Sequence, residues 1–172
     1  MSMFNLQGKI ALVTGAGRGI GRGVTEGLAA QGATVVCASR TKPELDEAVA
    51  AIEAQGGTAM ALTMDMASMD SLEAGVQQVI AQYGRIDILF NNAGMNVRQP
   101  IDEVTEDDYD RIMTVNLKGL YFLSQKVARD MRTRRQGKII NVGSLTTGRA
   151  LAKVSVYTAT KGAVGQLTKA QA

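Results

Sequence analysis

A phenol and an ammonium group stand one helical turn apart near the end of the chain. Tyr157 and Lys161 are four residues apart, a spacing that places both side chains on one face of a helix. An ammonium ion beside a phenol favours the charged phenolate and lowers the pKa of the phenol. Such a phenol can exchange a proton with an alcohol or carbonyl oxygen near neutral pH. The pair follows Ser144 by thirteen residues, and together these residues predict a proton-transfer site.

The residue types that the chain lacks narrow the chemistry. It contains no histidine, which removes the commonest general base and any Ser-His-Asp arrangement. Its single cysteine, Cys37, rules out an internal disulfide and a cysteine-based zinc site, and no metal is expected. Tyr157 is therefore the best candidate for the acid–base group.

Length and composition predict one globular domain over residues 1–172. Apolar residues make up 45% and charged residues 20% of the chain, as in ordinary soluble proteins. The formal charge is +3, and no basic stretch interleaved with aromatics suggests nucleic acid binding. The densest positive cluster, residues 129–135, is interpreted as a solvated helix end.

Nothing in the hydropathy pattern predicts a membrane association. No uninterrupted apolar run reaches the roughly 18 residues that suggest a membrane span. The first residues, Met1 to Asn5, lack the basic and apolar regions of a signal peptide. We therefore expect a cytoplasmic protein.

Apolar runs and helical segments alternate along the chain. Strands are predicted at residues 9–14, 34–39, 58–64, 86–90 and 138–142, and helices at 20–30, 43–55, 68–83, 105–135 and from 155 onward, with a break near Val115 and Asn116 in the long helix. Continuous apolar strands that alternate with helices favour a parallel sheet covered on both faces. The predicted fold class is therefore α/β, a doubly wound Rossmann fold.

A glycine cluster follows the first predicted strand. Gly15, Gly19 and Gly21 fit the pattern T-G-x-x-x-G-x-G, with Arg18 and Ile20 between them. Glycine permits a sharp turn and lets backbone amides approach a pyrophosphate at the start of a helix. Gly21 would also let the helix pack close to the sheet. This loop predicts a dinucleotide site.

The residues after the second strand indicate which dinucleotide is bound. An NAD site needs Asp or Glu there to accept a hydrogen bond from the ribose 2′-hydroxyl, whereas this chain has Ser39 and Arg40. An arginine fork matches a 2′-phosphate, and Arg18 adds a second cation. We therefore predict NADP(H), the alternative being that Arg40 is a solvated loop residue in a permissive site.

Several further motifs occur in the order typical of one enzyme family. They are the glycine loop, Asp65 after the third strand, Asn91-Asn92-Ala93-Gly94 after the fourth, Asn116 in the long helix, Asn141-Val142-Gly143-Ser144 after the fifth, and the Tyr157/Lys161 pair. The chain thus resembles the short-chain dehydrogenase/reductase family over nearly its whole length.

The resemblance implies a role for each matching residue. Tyr157 would be the general acid/base, Lys161 would hold the nicotinamide ribose, Ser144 would bind the substrate oxygen, and Asn116 would hold a water of a proton relay. Taken singly, Ser144 is equally a turn cap and Asn116 a helix irregularity. Asp65 would contact the adenine. The full predicted cofactor set is Gly15, Arg18, Gly19, Ile20, Gly21, Ser39, Arg40, Asp65, Met66, Asn92, Ala93, Gly94, Tyr157 and Lys161.

Family members continue beyond the point that corresponds to Ala172. The resemblance implies two more strands, further helices and a substrate-binding segment, so we expect this chain to be part of a longer reductase. Without the last strands, the fifth strand would form an exposed apolar edge, and residues 1–172 alone would lack full activity. When complete, the protein would be a homo-oligomer, a dimer or tetramer.

The predicted reaction is NADP(H)-dependent hydride transfer to or from a small-molecule secondary alcohol or ketone. The pattern resembles the sugar-acid dehydrogenases of the family, which suggests a substrate such as gluconate or 5-ketogluconate. Arg98 would pair with its carboxylate, or is an exposed loop residue. A 3-oxoacyl-[acyl-carrier-protein] reductase and a non-catalytic NADP(H)-binding module are the alternatives.

Overall fold

Five parallel strands form one sheet in the computed structural model, which describes residues 4–172. They are β1 (Ile10–Thr14), β2 (Thr34–Ser39), β3 (Thr58–Thr63), β4 (Ile88–Asn91) and β5 (Lys138–Asn141), in the order β3-β2-β1-β4-β5. Each neighbouring pair is parallel, for example Leu12 beside Val36 and Leu89. The predicted doubly wound α/β fold is confirmed, and strand bounds agree to within two residues.

Helices cover both faces of this sheet. They are α1 (Gly19–Ala30), α2 (Lys42–Ala54), α3 (Met69–Tyr83), α4 (Glu106–Met113), α5 (Leu120–Arg134) and α6 (Ser155–Gln171). A π-helical turn, Thr114–Gly119, separates α4 from α5. The predicted break in the long helix is therefore a widened turn rather than a chain reversal.

The alternation of side chains along β1 divides the core into two clusters. Leu12 faces a cluster that includes Leu72 of α3 and Leu123 of α5. Val13 faces the other cluster, which includes Leu45 and Ile52 of α2. Successive side chains of a strand point to opposite faces, so a strand buried on both faces must be apolar throughout. All five residues of β1 are buried for this reason.

The strand order reverses between β1 and β4, and this reversal creates a crevice. The chain first adds β2 and β3 on one side of β1 and then returns to add β4 and β5 on the other. In such sheets the crevice opens outside the carboxyl ends of the strands, between diverging loops. The loops after Thr14, Ser39 and Asn91 therefore meet at one edge of the sheet.

The fifth strand forms one margin of the sheet, as predicted. The side chain of Ile140 on this strand is 43% exposed.

Between residues 4 and 172 no helix combines the length and apolarity that crossing a membrane requires.

The positive cluster at the end of α5 differs in part from the expectation of a solvated helix end. Arg134 pairs with Asp130 at 2.8 Å and with Asp87 at 3.3 Å, and it donates to the carbonyl of Ile86. Asp87 is only 4% exposed and also accepts from the amide of Ile10. Arg85 also pairs with Asp87, at 3.0 Å. Burial opposes the charge of Asp87, but the Ile10 amide, Arg85 and Arg134 outweigh it and lower the pKa of Asp87. Arg134 thus anchors α5 to the sheet.

Candidate active site and dinucleotide cleft

A cleft of about 340 Å³ lies at the carboxyl edge of β1, β2 and β4. Ten predicted cofactor residues line it: Gly15, Arg18, Ile20, Ser39, Arg40, Asp65, Met66, Asn92, Ala93 and Gly94. The other lining residues are Thr14, Gly17, Ala38, Thr41, Glu44, Met64, Met95 and Val115, which sequence reasoning did not select. The predicted loops therefore converge on one elongated site.

The glycine loop is packed so tightly that side chains are excluded from it. A Cβ atom on Gly15, whose φ is +64°, would lie 2.9 Å from Nδ2 of Asn92. A Cβ atom on Gly21 would lie 2.1 Å from the carbonyl oxygen of Gly15. Gly21 therefore brings α1 against the residues that directly follow β1 and β4, and neither Gly19 nor Gly21 lines the cleft.

The start of α1 suits an anionic group. No side chain caps this helix end, where Arg18 is the N-cap residue. Uncapped amides at a helix start carry partial positive charge and accept phosphate oxygens. The tight glycine turn and the open helix end together fit the pyrophosphate of a dinucleotide.

Thr14 and Asn92 tie the glycine loop to the loop after β4. The Thr14 hydroxyl accepts from the amides of Asn92 and Ala93, both at 3.0 Å. The side-chain Nδ2 of Asn92 donates to the backbone carbonyls of Thr14 at 3.0 Å and Gly15 at 3.2 Å. Asn92 is therefore more than a turn residue, because it holds two walls of the cleft in register.

The part of the cleft near the end of β2 carries the groups predicted to contact adenosine. Arg18 and Arg40 line this part and are exposed. The Ser39 hydroxyl accepts from the amide of Thr41 at 3.2 Å. The Asp65 carboxylate accepts from the amide of Ala67 at 2.9 Å. Two exposed cations thus border a region in which contacts with backbone amides hold the polar side chains.

Asn116 is buried within the π turn and connects the cleft to α6. Its side chain accepts from the amide of Met95 and donates to the carbonyl of Met95, both at 2.8 Å. It also donates to the Thr160 hydroxyl at 3.3 Å. Since both Oδ1 and Nδ2 of Asn116 are engaged with Met95, the side chain positions the Met95 loop. The predicted water relay stays a prediction.

Lys161 is fixed beside Tyr157 on α6. The lysine side chain is 5% exposed, and its Nζ donates to the carbonyl of Val142 at 2.7 Å. Nζ lies 5.7 Å from the centre of the Tyr157 ring. Burial lowers the pKa of Lys161. The loop after β5 thus holds the cation against the face of the helix that carries the phenol.

Ser144 caps a short 3-10 turn, Leu145–Thr147. Its hydroxyl oxygen accepts from the amide of Thr146 at 3.1 Å, and its own amide donates to the Thr147 hydroxyl at 2.9 Å. Ser144 therefore does cap a turn. The capping hydrogen bond uses the hydroxyl oxygen as an acceptor, so the hydroxyl proton stays free to donate to a substrate oxygen.

The four predicted catalytic residues lie beyond the cleft proper. Ser144, Tyr157, Lys161 and Asn116 are absent from its lining, but Asn116 joins the lining residue Met95 to Thr160 on α6. Asn116 thus connects the cleft, through Met95, to the helix that carries Tyr157 and Lys161.

The buried ammonium predicts a specific pH dependence of stability. Because burial lowers the pKa of Lys161 below its usual 10.5, the unfolded chain binds this proton more tightly than the folded chain. Stability should therefore rise with pH between the lowered pKa of folded Lys161 and 10.5, the value of the unfolded chain, and Lys161→Met should remove this component. The free energy of unfolding in urea at pH 7, 9 and 10 measures it. Lys169→Met, exposed on the same helix, is the control, and equal slopes for wild type and Lys161→Met would contradict the assignment.

The fold and the glycine-lined crevice define a Rossmann-type dinucleotide-binding domain. The family model of short chain dehydrogenases matches residues 9–172, nearly the whole chain. The chain therefore belongs to the short-chain dehydrogenase family.

Individual relatives agree with this family and span more sequence. The gluconate 5-dehydrogenase of Gluconobacter oxydans is 43% identical over 170 residues, which are 99% of this chain and 66% of the relative. The L-xylulose reductase of Mesocricetus auratus is 44% identical over 168 residues, 97% and 66% of the two chains. A crystal structure of Burkholderia cenocepacia gluconate 5-dehydrogenase with NADP and tartrate superposes with a TM-score of 0.92 at 40% identity, covering 97% of this chain and 66% of that one. The chain thus spans about two-thirds of the length of these relatives.

Proposed function

We propose that this chain carries the NADP(H)-binding and proton-transfer parts of an oxidoreductase that interconverts a secondary alcohol and a ketone. The observation that carries the proposal is the fixed pair on α6. Lys161 is buried, held by the carbonyl of Val142, and lies 5.7 Å from the Tyr157 ring. Mere nucleotide binding does not need a buried cation beside a phenol, so this pair argues against a non-catalytic module.

Each residue of the pair has one part in the proton transfer. The nicotinamide supplies or accepts the hydride when it is bound. The Tyr157 hydroxyl gives a proton to the carbonyl oxygen or takes it from the alcohol. Lys161 would hold the nicotinamide ribose beside the phenol, and the Ser144 hydroxyl donates to the reacting oxygen as charge develops there.

The cofactor proposed is NADP(H), in preference to NAD(H). Arg18 and Arg40 line the end of the cleft where an adenosine ribose would lie, and both are exposed. A guanidinium binds phosphate through paired hydrogen bonds. The relative from Burkholderia cenocepacia has NADP bound, which supports the same choice.

Separate titrations of NADPH and NADH into the 172-residue chain test this preference, with nicotinamide fluorescence as the signal. The wild type should bind NADPH more tightly, and Arg40→Ser should weaken NADPH binding about tenfold, the effect of one charge-assisted contact. NADH binding should change little. Arg132→Ser, an exposed arginine on α5 outside the cleft, is the control. Equal loss of both cofactors in Arg40→Ser would contradict a contact to the 2′-phosphate.

The substrate class proposed is a sugar acid. The similarity to gluconate 5-dehydrogenase supports it, and the exposed Arg98 follows the loop that edges the cleft. The similarity to L-xylulose reductase favours an uncharged ketose as the second candidate. The rate of NADPH oxidation distinguishes the candidates: 5-ketogluconate tests the sugar acid, L-xylulose tests the ketose, and an acetoacetyl thioester tests the carrier-protein reductase. If the longer reductase turns over none of these three compounds, all three substrate assignments are rejected.

Three further expectations from the sequence stay predictions. They are a single-domain subunit, assembly into a dimer or tetramer through the faces of α4, α5 and α6, and a cytoplasmic location. Sedimentation velocity of the purified chain measures the second of these directly.

A further inference from the structure

One carboxylate lies among the groups at the adenosine end of the cleft. Glu44, in the first turn of α2, lines the cleft together with Ser39 and Arg40. A Cβ atom on Gly17 would lie 2.9 Å from Oε2 of Glu44 and 3.5 Å from the Ser39 hydroxyl oxygen. The Glu44 side chain therefore packs against Gly17 of the glycine loop, close to Ser39 at the end of β2.

The local sequence predicts a different position for this side chain. Thr41-Lys42-Pro43-Glu44 fits the capping-box pattern, in which the glutamate accepts from the amide of the N-cap threonine. In the structure the Thr41 side chain makes no capping hydrogen bond, and the Thr41 amide donates to the Ser39 hydroxyl at 3.2 Å. Over residues 4–172 the Glu44 carboxylate has neither a hydrogen-bond partner nor an ion pair. It is an acceptor left facing the cleft.

A carboxylate here has opposite effects on the two cofactors. A carboxylate that lies beside the adenosine ribose can accept from its 2′-hydroxyl. The same charge repels a 2′-phosphate in the partly desolvated cleft. Arg18 and Arg40 act in the reverse direction, so the balance among the three charges sets the preference.

We propose that Glu44 is a specificity-determining residue that keeps this site open to NAD(H) by accepting from the 2′-hydroxyl and opposing the 2′-phosphate. The inference rests on the proposed dinucleotide function and refines its cofactor preference. A carboxylate in the first turn of α2 also stabilises that helix through its dipole. Such a structural effect would change stability without changing the ratio of the two affinities, so the ratio is the informative quantity.

The test is the dissociation constant of NADH divided by that of NADPH, measured for Glu44→Gln by nicotinamide fluorescence. The substitution keeps the shape of the side chain and removes its charge. We expect NADH to bind about fivefold more weakly and NADPH about twofold more tightly, so that the ratio rises roughly tenfold. Glu53→Gln, an exposed glutamate on the same helix outside the cleft, should leave the ratio unchanged. Thermal unfolding of both variants reports the helix-dipole effect separately.

The possible results separate this inference from the function on which it rests. If the wild type binds NADPH and the ratio for Glu44→Gln stays within about twofold of wild type, Glu44 is not a specificity residue, although the dinucleotide site stands. If the wild type binds neither cofactor, the proposed function fails and the inference fails with it. A ratio that falls would show that Glu44 helps to orient Arg18 or Arg40, and it would overturn the proposed repulsion.

Discussion

Replacement of Tyr157 by phenylalanine is expected to lower kcat by about 10²–10⁴-fold, the range that a positioned acid–base group contributes. The ring and its contact with Lys161, 5.7 Å away, remain, and only the hydroxyl that exchanges the proton is lost. Because the cleft lining does not include Tyr157, NADPH affinity should change little. NADPH oxidation with 5-ketogluconate by the longer reductase gives kcat, and fluorescence titration gives the affinity of the same protein for NADPH.

A matched substitution separates loss of chemistry from loss of structure. Tyr83→Phe, at the end of α3, removes a hydroxyl from a half-buried tyrosine distant in sequence from the site. It should retain wild-type turnover. Unchanged turnover in Tyr157→Phe would reject tyrosine as the acid–base group. Equal loss of turnover and cofactor affinity would show that the hydroxyl supports binding rather than proton transfer.

The second large effect is expected at Gly21. A Cβ atom there would lie 2.1 Å from the carbonyl oxygen of Gly15 and 2.6 Å from Nδ2 of Asn92. Both contacts involve the loop that holds the cleft in register, so Gly21→Ala must displace α1 or the loop. We expect a loss of about 2 kcal/mol in the free energy of unfolding, as for overpacking elsewhere in proteins. NADPH binding should weaken at least about tenfold because the helix start moves away from the pyrophosphate.

Gly23, two residues after Gly21 on the same helix, provides a control. A Cβ atom on Gly23 meets nothing within 4 Å, and the residue is exposed. Gly23→Ala should therefore stabilise the chain by up to about 1 kcal/mol, the helix propensity difference between the two residues. Urea unfolding measures both variants, and opposite signs are the expected result. Equal midpoints for Gly21→Ala and wild type would contradict the close packing at Gly15.

Much of the fold is predictable because its signals are local. The apolar runs that form β1 and β2 are buried on both faces, and glycines after α1 and α2 mark where those helices end. The order of strands and helices then limits the topology to a doubly wound sheet. The break at Asn116 was also predicted from the sequence, and the structure shows that it is a π turn.

Contacts between distant residues were not predictable in the same way. The bridge from Met95 through Asn116 to Thr160 joins three segments that are far apart in the chain. The position of Glu44 contradicts its own local pattern, since the Ser39 hydroxyl takes the Thr41 amide that a capping box would use. Arg134 was expected to be solvated, yet Asp87 and Asp130 bind it.

The sequence by itself determined the class of fold and the proximity of Lys161 to Tyr157, and it predicted the dinucleotide loop and the proton-transfer role of this pair. These depend on residue types at short spacings, such as the spacing of four between Tyr157 and Lys161, which helix geometry converts directly into proximity. Only the tertiary structure decided which polar groups are already occupied and which face the cleft. A side chain's partners depend on how distant segments pack, and a hydrogen bond formed with one partner leaves another group, here the Glu44 carboxylate, free for a ligand.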